Sequence, residues 1–348
     1  MMKKMYKYFE KVKIYISVFL KDPLFLRHWE SSWYSSRRKD NQLSVRIRGG
    51  NGGIYQYYGH SSMFVDDMYM GIMPYMVFSG EREKYPIKIE PASREKEKLI
   101  ADSLSNRGYS RFLGDGLCEF VRTTSHVLFQ GGTAIYEIVY KKNERNEIES
   151  LDFELITPHY LFKFLGNYYQ FVPWWKAKES RIKVQIIKIP KEKILQINFP
   201  KLLGGRRKII RILKRLYYLG KDIVPEFHME AMGKNQNIGF DFDKYNLGRY
   251  LEIATLTKDF GWNQRQLSGD NITEYYSMLR FLREKRVEAI MREEIIFSLN
   301  KALNRSPLNL GVKIIVENLK TLNQIREQEG LLKKGKVAFM DIFNALKL

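Results

Sequence analysis

The chain has 348 residues, with 59 Lys and Arg against 39 Asp and Glu, a formal net charge of +20 at pH 7. Hydrophobic residues make up 44% and aromatics 14%, which excludes a disordered basic tail and points to a folded basic protein of two or three domains. One cysteine, Cys118, excludes an internal disulfide framework and a thiolate-rich metal site, and no apolar run reaches the roughly 18 residues of a membrane span.

At the N-terminus, Lys3, Lys4, Lys7, Lys11 and Lys13 precede a short apolar run from Ile14 to Leu20. Lysines reach up to that run and no small-residue cleavage motif follows before Lys21, so the segment reads as a basic amphipathic helix or arm, not a signal peptide. Docking on the body and a partner or membrane-surface role both fit it. Residues 30–62 are rich in Ser, Gly, Arg and Tyr without periodicity, which predicts loop or arm.

Ser93 to Leu104 has helical composition, and Leu117, Phe120, Val121, His126 and Phe129 recur at helical spacing until Gly131 and Gly132 stop the pattern. Thr133 to Tyr140 is β-branched and aromatic, and Ile148 to Leu155 reads as its returning strand. Tyr160 to Val172 forms a hairpin around Gly166 and Asn167, and two further strands flank Pro190, for one antiparallel unit over 133–200. Trp174 and Trp175 sit in this unit, with core packing favoured over a binding platform.

Beyond Pro200 the pattern is helical. One helix is expected from Arg206 to about Met232, a break over 233–243, and a second helix from about Lys244 to Phe260. Asn271 to Arg305 contains neither Gly nor Pro, and Asn271 with Glu274 fits a capping box. Its apolar stripe includes Tyr275, Tyr276, Leu279, Leu282, Ala289, Ile290, Ile296, Phe297, Leu299 and Leu303, with Arg283, Lys285, Arg292 and Glu293 outside it. A shorter helix from Val316 to Leu332 and an apolar stretch from Met340 to Leu346 end the pattern.

Catalytic motifs are absent: no glycine-rich phosphate loop ending in Lys-Ser/Thr, no paired-histidine zinc helix and no nucleophile elbow. Glu226, His228 and Glu230 alternate ahead of Asp241 and Asp243; on a strand the first three would share a face suited to a divalent metal, whereas on the expected helix alternate residues diverge by about 200° and do not converge. No enzyme activity, cofactor or metal is expected. The basic signal is denser. Lys201, Arg206, Arg207, Lys208, Arg211, Lys214 and Arg215 occur with no acidic residue before Gly220, opposite Ile209, Ile212, Leu213 and Leu216. This face suits phosphates or an acidic protein partner equally.

The order of these pieces resembles the portal proteins of tailed bacteriophages. The likeness is carried by the glycine-ended helix and strand of Gly131 to Tyr140, the strand ending near Thr157 and Pro158, and the phrase from Ile189 to Ile197. The helix after Gly204 and Gly205, the break, the second helix, the short loop, the long helix holding Arg292 to Leu303 and the close from Leu332 to Phe343 continue it, covering about 90–348. The resemblance implies an α+β, ring-forming portal fold: an antiparallel β-rich wing domain followed by long stem and crown helices. Its expected parts are an N-terminal arm (1–85), a wing (86–200), stem helices (201–270) and a long helix with crown helices (271–348).

Within the stem it implies a clip at 233–243, docking through Lys234, Asn235, Gln236 and Asn237, and a tunnel loop at 261–269 offering Asn263, Gln264, Arg265 and Gln266 to DNA. The basic stem face would be Arg206, Arg207, Lys208, Arg211, Lys214 and Arg215. The implied function is a ring of twelve copies at the capsid vertex, passing double-stranded DNA in packaging and ejection. Its implied partners are terminase, the major capsid protein and the head–tail connector or adaptor, with no membrane. Its place would be the virion, after assembly in the bacterial host cytoplasm. Twelve copies would sum to about +240, a charge to be dispersed onto outer faces or matched by partners. The alternatives are a basic, non-specific nucleic-acid-binding protein without a ring, and a nuclease built on the 226–243 cluster.

Overall fold

The β-branched, aromatic run after Gly132 becomes the centre of the main sheet. A computed structural model describes residues 59–73, 87–104, 112–145, 148–156, 161–164, 167–171, 186–221, 242–262, 264, 273–307, 310–317 and 319–346. Strand β2 (Thr133–Lys142) lies between β3 (Ile148–Ile156) and β7 (Ile194–Asn198), antiparallel to both; Tyr136 faces Leu155 on one side and Leu195 on the other. Ala134, Tyr136 and Ile138 enter the main core, while Ile135 enters a second, smaller core with Ile156, Leu161, Tyr168 and Ile189. Burial on both faces explains why this strand reads as a continuous apolar run.

The second core is covered by a separate three-stranded sheet, β4 (Leu161–Phe164), β5 (Asn167–Phe171) and β6 (Ile186–Ile189). The single antiparallel unit expected over 133–200 is therefore two sheets stacked through Ile135 and Ile156. The mixed α+β class with antiparallel sheets holds.

Helices cover the other face of the main sheet. Helices α2 (Arg94–Leu104) and α3 (Leu113–Gly131) pack together, with Gly116 against the Ala101 carbonyl, and Thr124 on α3 shares a 2.7 Å hydroxyl contact with Tyr136. Gly132 ends α3 in the left-handed region (φ 72°), its N–H donating to the Leu128 carbonyl.

Two expectations about element positions are corrected. Helix α1 (Gly59–Met70) starts inside the stretch read as loop, and Phe64, Val65 and Met68 carry it into the core. Lys313–Val316 is strand β8, paired with β1 (Ile87–Glu90), so the following helix, α7 (Leu322–Lys333), starts six residues later than Val316. Its cap is a reciprocal box in which Thr321 Oγ1 accepts from the Gln324 N–H and Gln324 Oε1 accepts from the Thr321 N–H.

Helix α6 (Glu274–Arg305) has 32 residues, about 48 Å at the usual rise, and is capped by Thr273, whose side chain accepts from Tyr276 N–H, in place of the expected Asn271 box. Its buried line runs through Leu282, Val287, Met291, Ile295, Leu299 and Leu303, while Phe297, Tyr275 and Tyr276 of the expected stripe are exposed. Arg292, expected outside, is buried; its guanidinium donates to the carbonyls of Ile72 (3.1 Å) and Lys320 (2.7 Å). Beside it Glu288 is buried and accepts two 3.0 Å bonds from Lys285; burial pushes its carboxyl up to about 7. Helix α8 (Phe339–Leu346) closes the described chain on α6 and α7. Among the described residues no helix is long and apolar enough to cross a membrane.

Candidate interaction surface on the helical hairpin

The basic segment forms helix α4 (Gly205–Lys221), and α5 (Phe242–Thr257) runs back beside it. Two ion pairs fix their relation. Lys208 near the start of α4 meets Asp259, in the short turn after α5, at 2.6 Å, and Arg215, two turns on, meets Glu252. The sequence positions rise on one helix as they fall on the other, so the helices are antiparallel. The Lys208 ammonium bonded to Asp259 holds that carboxyl below its usual range.

The base of this hairpin is clamped by aromatics from four parts of the chain. Phe64 of α1 meets Phe129, Phe260 and Trp262 edge-on, with centroids 5.3–6.1 Å apart, and Phe199 packs against Phe129 and Phe260. Each such pair adds about 0.5–1.5 kcal/mol beyond area burial. Gly261 lies here at φ 73°, and a Cβ on it would come within 2.8 Å of the Glu284 backbone nitrogen, so glycine alone lets the chain leave α5 flush against α6. The clamp joins the start and the end of the hairpin, since Phe199 precedes α4 and Phe260 follows α5.

Helix α4 is strongly two-faced. Ile209, Ile212, Leu213 and Leu216 are buried within the same chain, against α1 and α3. On the outer side Arg207, Arg211, Lys214 and Tyr218 fall within about 60° of arc and all are exposed. The first turn contains no acidic residue but carries Arg206, Arg207 and Lys208, against the preference of a helix N-terminus for negative charge. Helix stability therefore does not explain these cations. Lys208 and Arg215 are drawn to the flank by Asp259 and Glu252, whereas Arg206, Arg207, Arg211 and Lys214 make no ion pair among the described residues.

On α5 the outward residues are Leu247, Leu251 and Thr255, and the two leucines are 56% and 55% exposed. Glu252 sits about 100° round from Leu251 toward α4, and Arg215 sits about 80° round from Arg207 toward α5. With the helices antiparallel, the two outward stripes lie side by side, about 8–10 Å apart. The hairpin thus presents one surface with a basic track and an apolar track.

A cleft of about 610 Å³ opens at the foot of the hairpin, lined by Asp66, Asp67, Tyr69, Met70, Trp262 and Glu284 among others. The Trp262 indole N–H donates to Asp67 at 2.8 Å. Burial raises the Glu284 carboxyl, and the Asp67 charge raises it further. The sequence reading missed this cleft, because Asp66 and Asp67, Trp262 and Glu284 are each unremarkable in isolation and meet only in the fold.

Of the expected tunnel-loop residues, Gln264 is described, and its side chain donates to the Tyr250 carbonyl on α5 at 3.4 Å. Asn263, Arg265 and Gln266 lie outside the described residues, as do Lys234, Asn235, Gln236 and Asn237, residues 1–58 of the expected N-terminal arm, Trp174 and Trp175. Gly261 and Trp262, expected to open the loop, are buried in the clamp. Glu226, His228, Glu230 and Asp241 also lie outside, and among the described residues no group of three His, Cys, Asp or Glu side chains could hold a metal. Compared with known proteins, the chain matches no family model and no curated protein sequence.

Proposed function

We propose that this chain is a portal-type subunit: a non-enzymatic ring component, assembled from about twelve copies, through which double-stranded DNA passes at a capsid vertex. The observation that carries the reading is the hairpin α4–α5. It springs from the end of the β-containing body at Phe199, returns at Phe260, and leads into the 32-residue helix α6. In portal architecture the same order would be wing, stem, tunnel loop and long wing helix, with terminase and the connector or adaptor meeting the hairpin's far end, and the capsid protein meeting the wing.

The subunit's body folds on its own core, so ring closure would act through surfaces left over after folding. Leu247 and Leu251 on α5 are such a surface. The test is the mass and shape of the purified protein. An annular particle of several hundred kDa in negative stain and mass photometry is expected; a 41.3 kDa monomer persisting at high concentration overturns the reading.

A second reading is favoured by one observation, the cation track Arg206, Arg207, Arg211 and Lys214 without acidic partners among the described residues. It is a basic protein binding nucleic acid non-specifically and without a ring. Removing one phosphate-neutralising cation should then flatten the slope of log affinity against log salt by about 0.9, so replacing Arg207, Arg211 and Lys214 by alanine flattens it by about 3 in a monomer.

A further inference from the structure

The hairpin surface and the cleft at its foot are opposites in charge and alike in apolar character. One offers Arg207, Arg211 and Lys214 beside Leu247 and Leu251; the other offers Asp66, Asp67 and Glu284 beside Met70 and Trp262. Met70 is 53% exposed at the rim of the cleft, so an apolar group is available on that side too. We propose that the basic and apolar tracks of α4 and α5 dock into the Asp66–Glu284 cleft of a neighbouring copy of the same chain. This docking presupposes the ring proposed above and names the surfaces that close it.

Three physical points favour a second copy over a nucleic acid. First, phosphate binding satisfies the arginines but leaves Leu247 and Leu251 facing water, whereas a protein interface buries an apolar centre beside its charges. Second, in a chain of net charge +20 a cleft lined by three carboxylates is the electrostatic complement of that cationic track. Third, the two surfaces are different patches of one molecule. Interfaces between unlike patches are heterologous, and they run head to tail until a rotation closes them into a ring. At Glu284, whose carboxyl burial raises and the Asp67 charge raises further against Lys285 and Arg280, an arriving guanidinium offsets the Asp67 charge.

A heterologous interface permits a decisive mixing experiment. Arg211→Glu reverses the donor surface and Asp66→Lys reverses the acceptor; Arg211 lies away from the aromatic clamp, Asp66 borders it on the cleft side, and matching melting curves check that each variant folds. Lys214→Glu and Met70→Lys form a second pair should either variant fail that check. Wild type is expected to form the annular particle, and each variant alone to fall to small species, with the subunit dissociation constant raised about ten-fold or more. An equal mixture is expected to recover large particles, because each altered surface then meets its altered mate in an alternating ring.

If wild type assembles and both variants assemble equally well, or if the mixture stays dissociated, this interface is wrong while the ring stands. If wild type itself remains monomeric, the ring fails, and the interface with it. If Arg211→Glu weakens binding to a DNA duplex but leaves the particle intact, the track serves nucleic acid and the interface is overturned.

Discussion

Helices α4 and α5 lie side by side in one hairpin, yet they place their leucines oppositely. On α4, Leu213 and Leu216 are fully buried and the outward face is cationic; on α5, Leu247 and Leu251 point outward and, among its described side chains, only Ile253 and Thr257, near its end, are buried. The difference shows where the chain's own core stops. Helix α4 finds its neighbours in α1 and α3, whereas α5 leans mainly on α4 and the turn that follows it. Amphipathic patterning alone says that a helix needs a neighbour, not which one. For α4 the neighbour is its own chain.

The largest test of this contrast pairs two truncations. Leu213→Ala leaves a cavity in the core and should lower unfolding free energy by about 2–5 kcal/mol, while Leu251→Ala should change the monomer by no more than about 0.5 kcal/mol. Chemical denaturation compares them directly, and equal losses would mean that α5 is as deeply built in as α4. Next comes the clamp. Gly261→Ala forces a side chain into a left-handed position beside the Glu284 nitrogen, with an expected loss of about 1–3 kcal/mol and a lower melting temperature. An unchanged melt would show that the hairpin base can shift freely.

A pH effect follows from the inner side of α5. His60 of α1 is buried, neither ring nitrogen is hydrogen-bonded among the described residues, and burial, then the charge of Arg249 on α5, hold it below its ordinary 6.5. The folded state therefore binds fewer protons than the unfolded state below pH 6.5, and stability falls as pH drops through that value. His60→Phe should reduce this acid sensitivity, and melts at about pH 5 and about pH 7.5, on either side of the ordinary histidine range, measure it. An unaltered pH profile would show that His60 does not titrate in folding. The smallest effect belongs to the ion pairs between the helices. Lys208→Ala and Arg215→Ala should each cost about 0–1 kcal/mol, less in high salt, because all four partners are substantially exposed.

Much of the fold was legible where one residue type has one physical use. Gly131 and Gly132 marked the end of α3 because Gly132 takes a positive φ; Thr133 to Ile138 read as a strand because both of its faces are buried; and the alternation of cations with Ile209, Ile212, Leu213 and Leu216 defined both faces of α4. Reading failed where a short apolar run had two uses. Ile314 to Val316 joined easily to the helix beyond, although Thr321 and Gln324 carried a capping box that marks the true start. Helix α1 was hidden behind glycine-rich sequence, since Phe64, Val65 and Met68 follow it with little warning. Arg292 was assigned to solvent by its charge, when two backbone carbonyls far apart in sequence satisfy it inside.

By itself the amino-acid order determined the local elements and the sign of the hairpin's outer charge, because helix period, glycine conformation and side-chain ionisation act over a few neighbouring residues. Tertiary structure alone decided which apolar face is covered and which is left open, and it alone brought Asp66, Trp262 and Glu284 together around a cleft. Those outcomes depend on packing between segments about 200 residues apart, a distance over which no spacing rule operates.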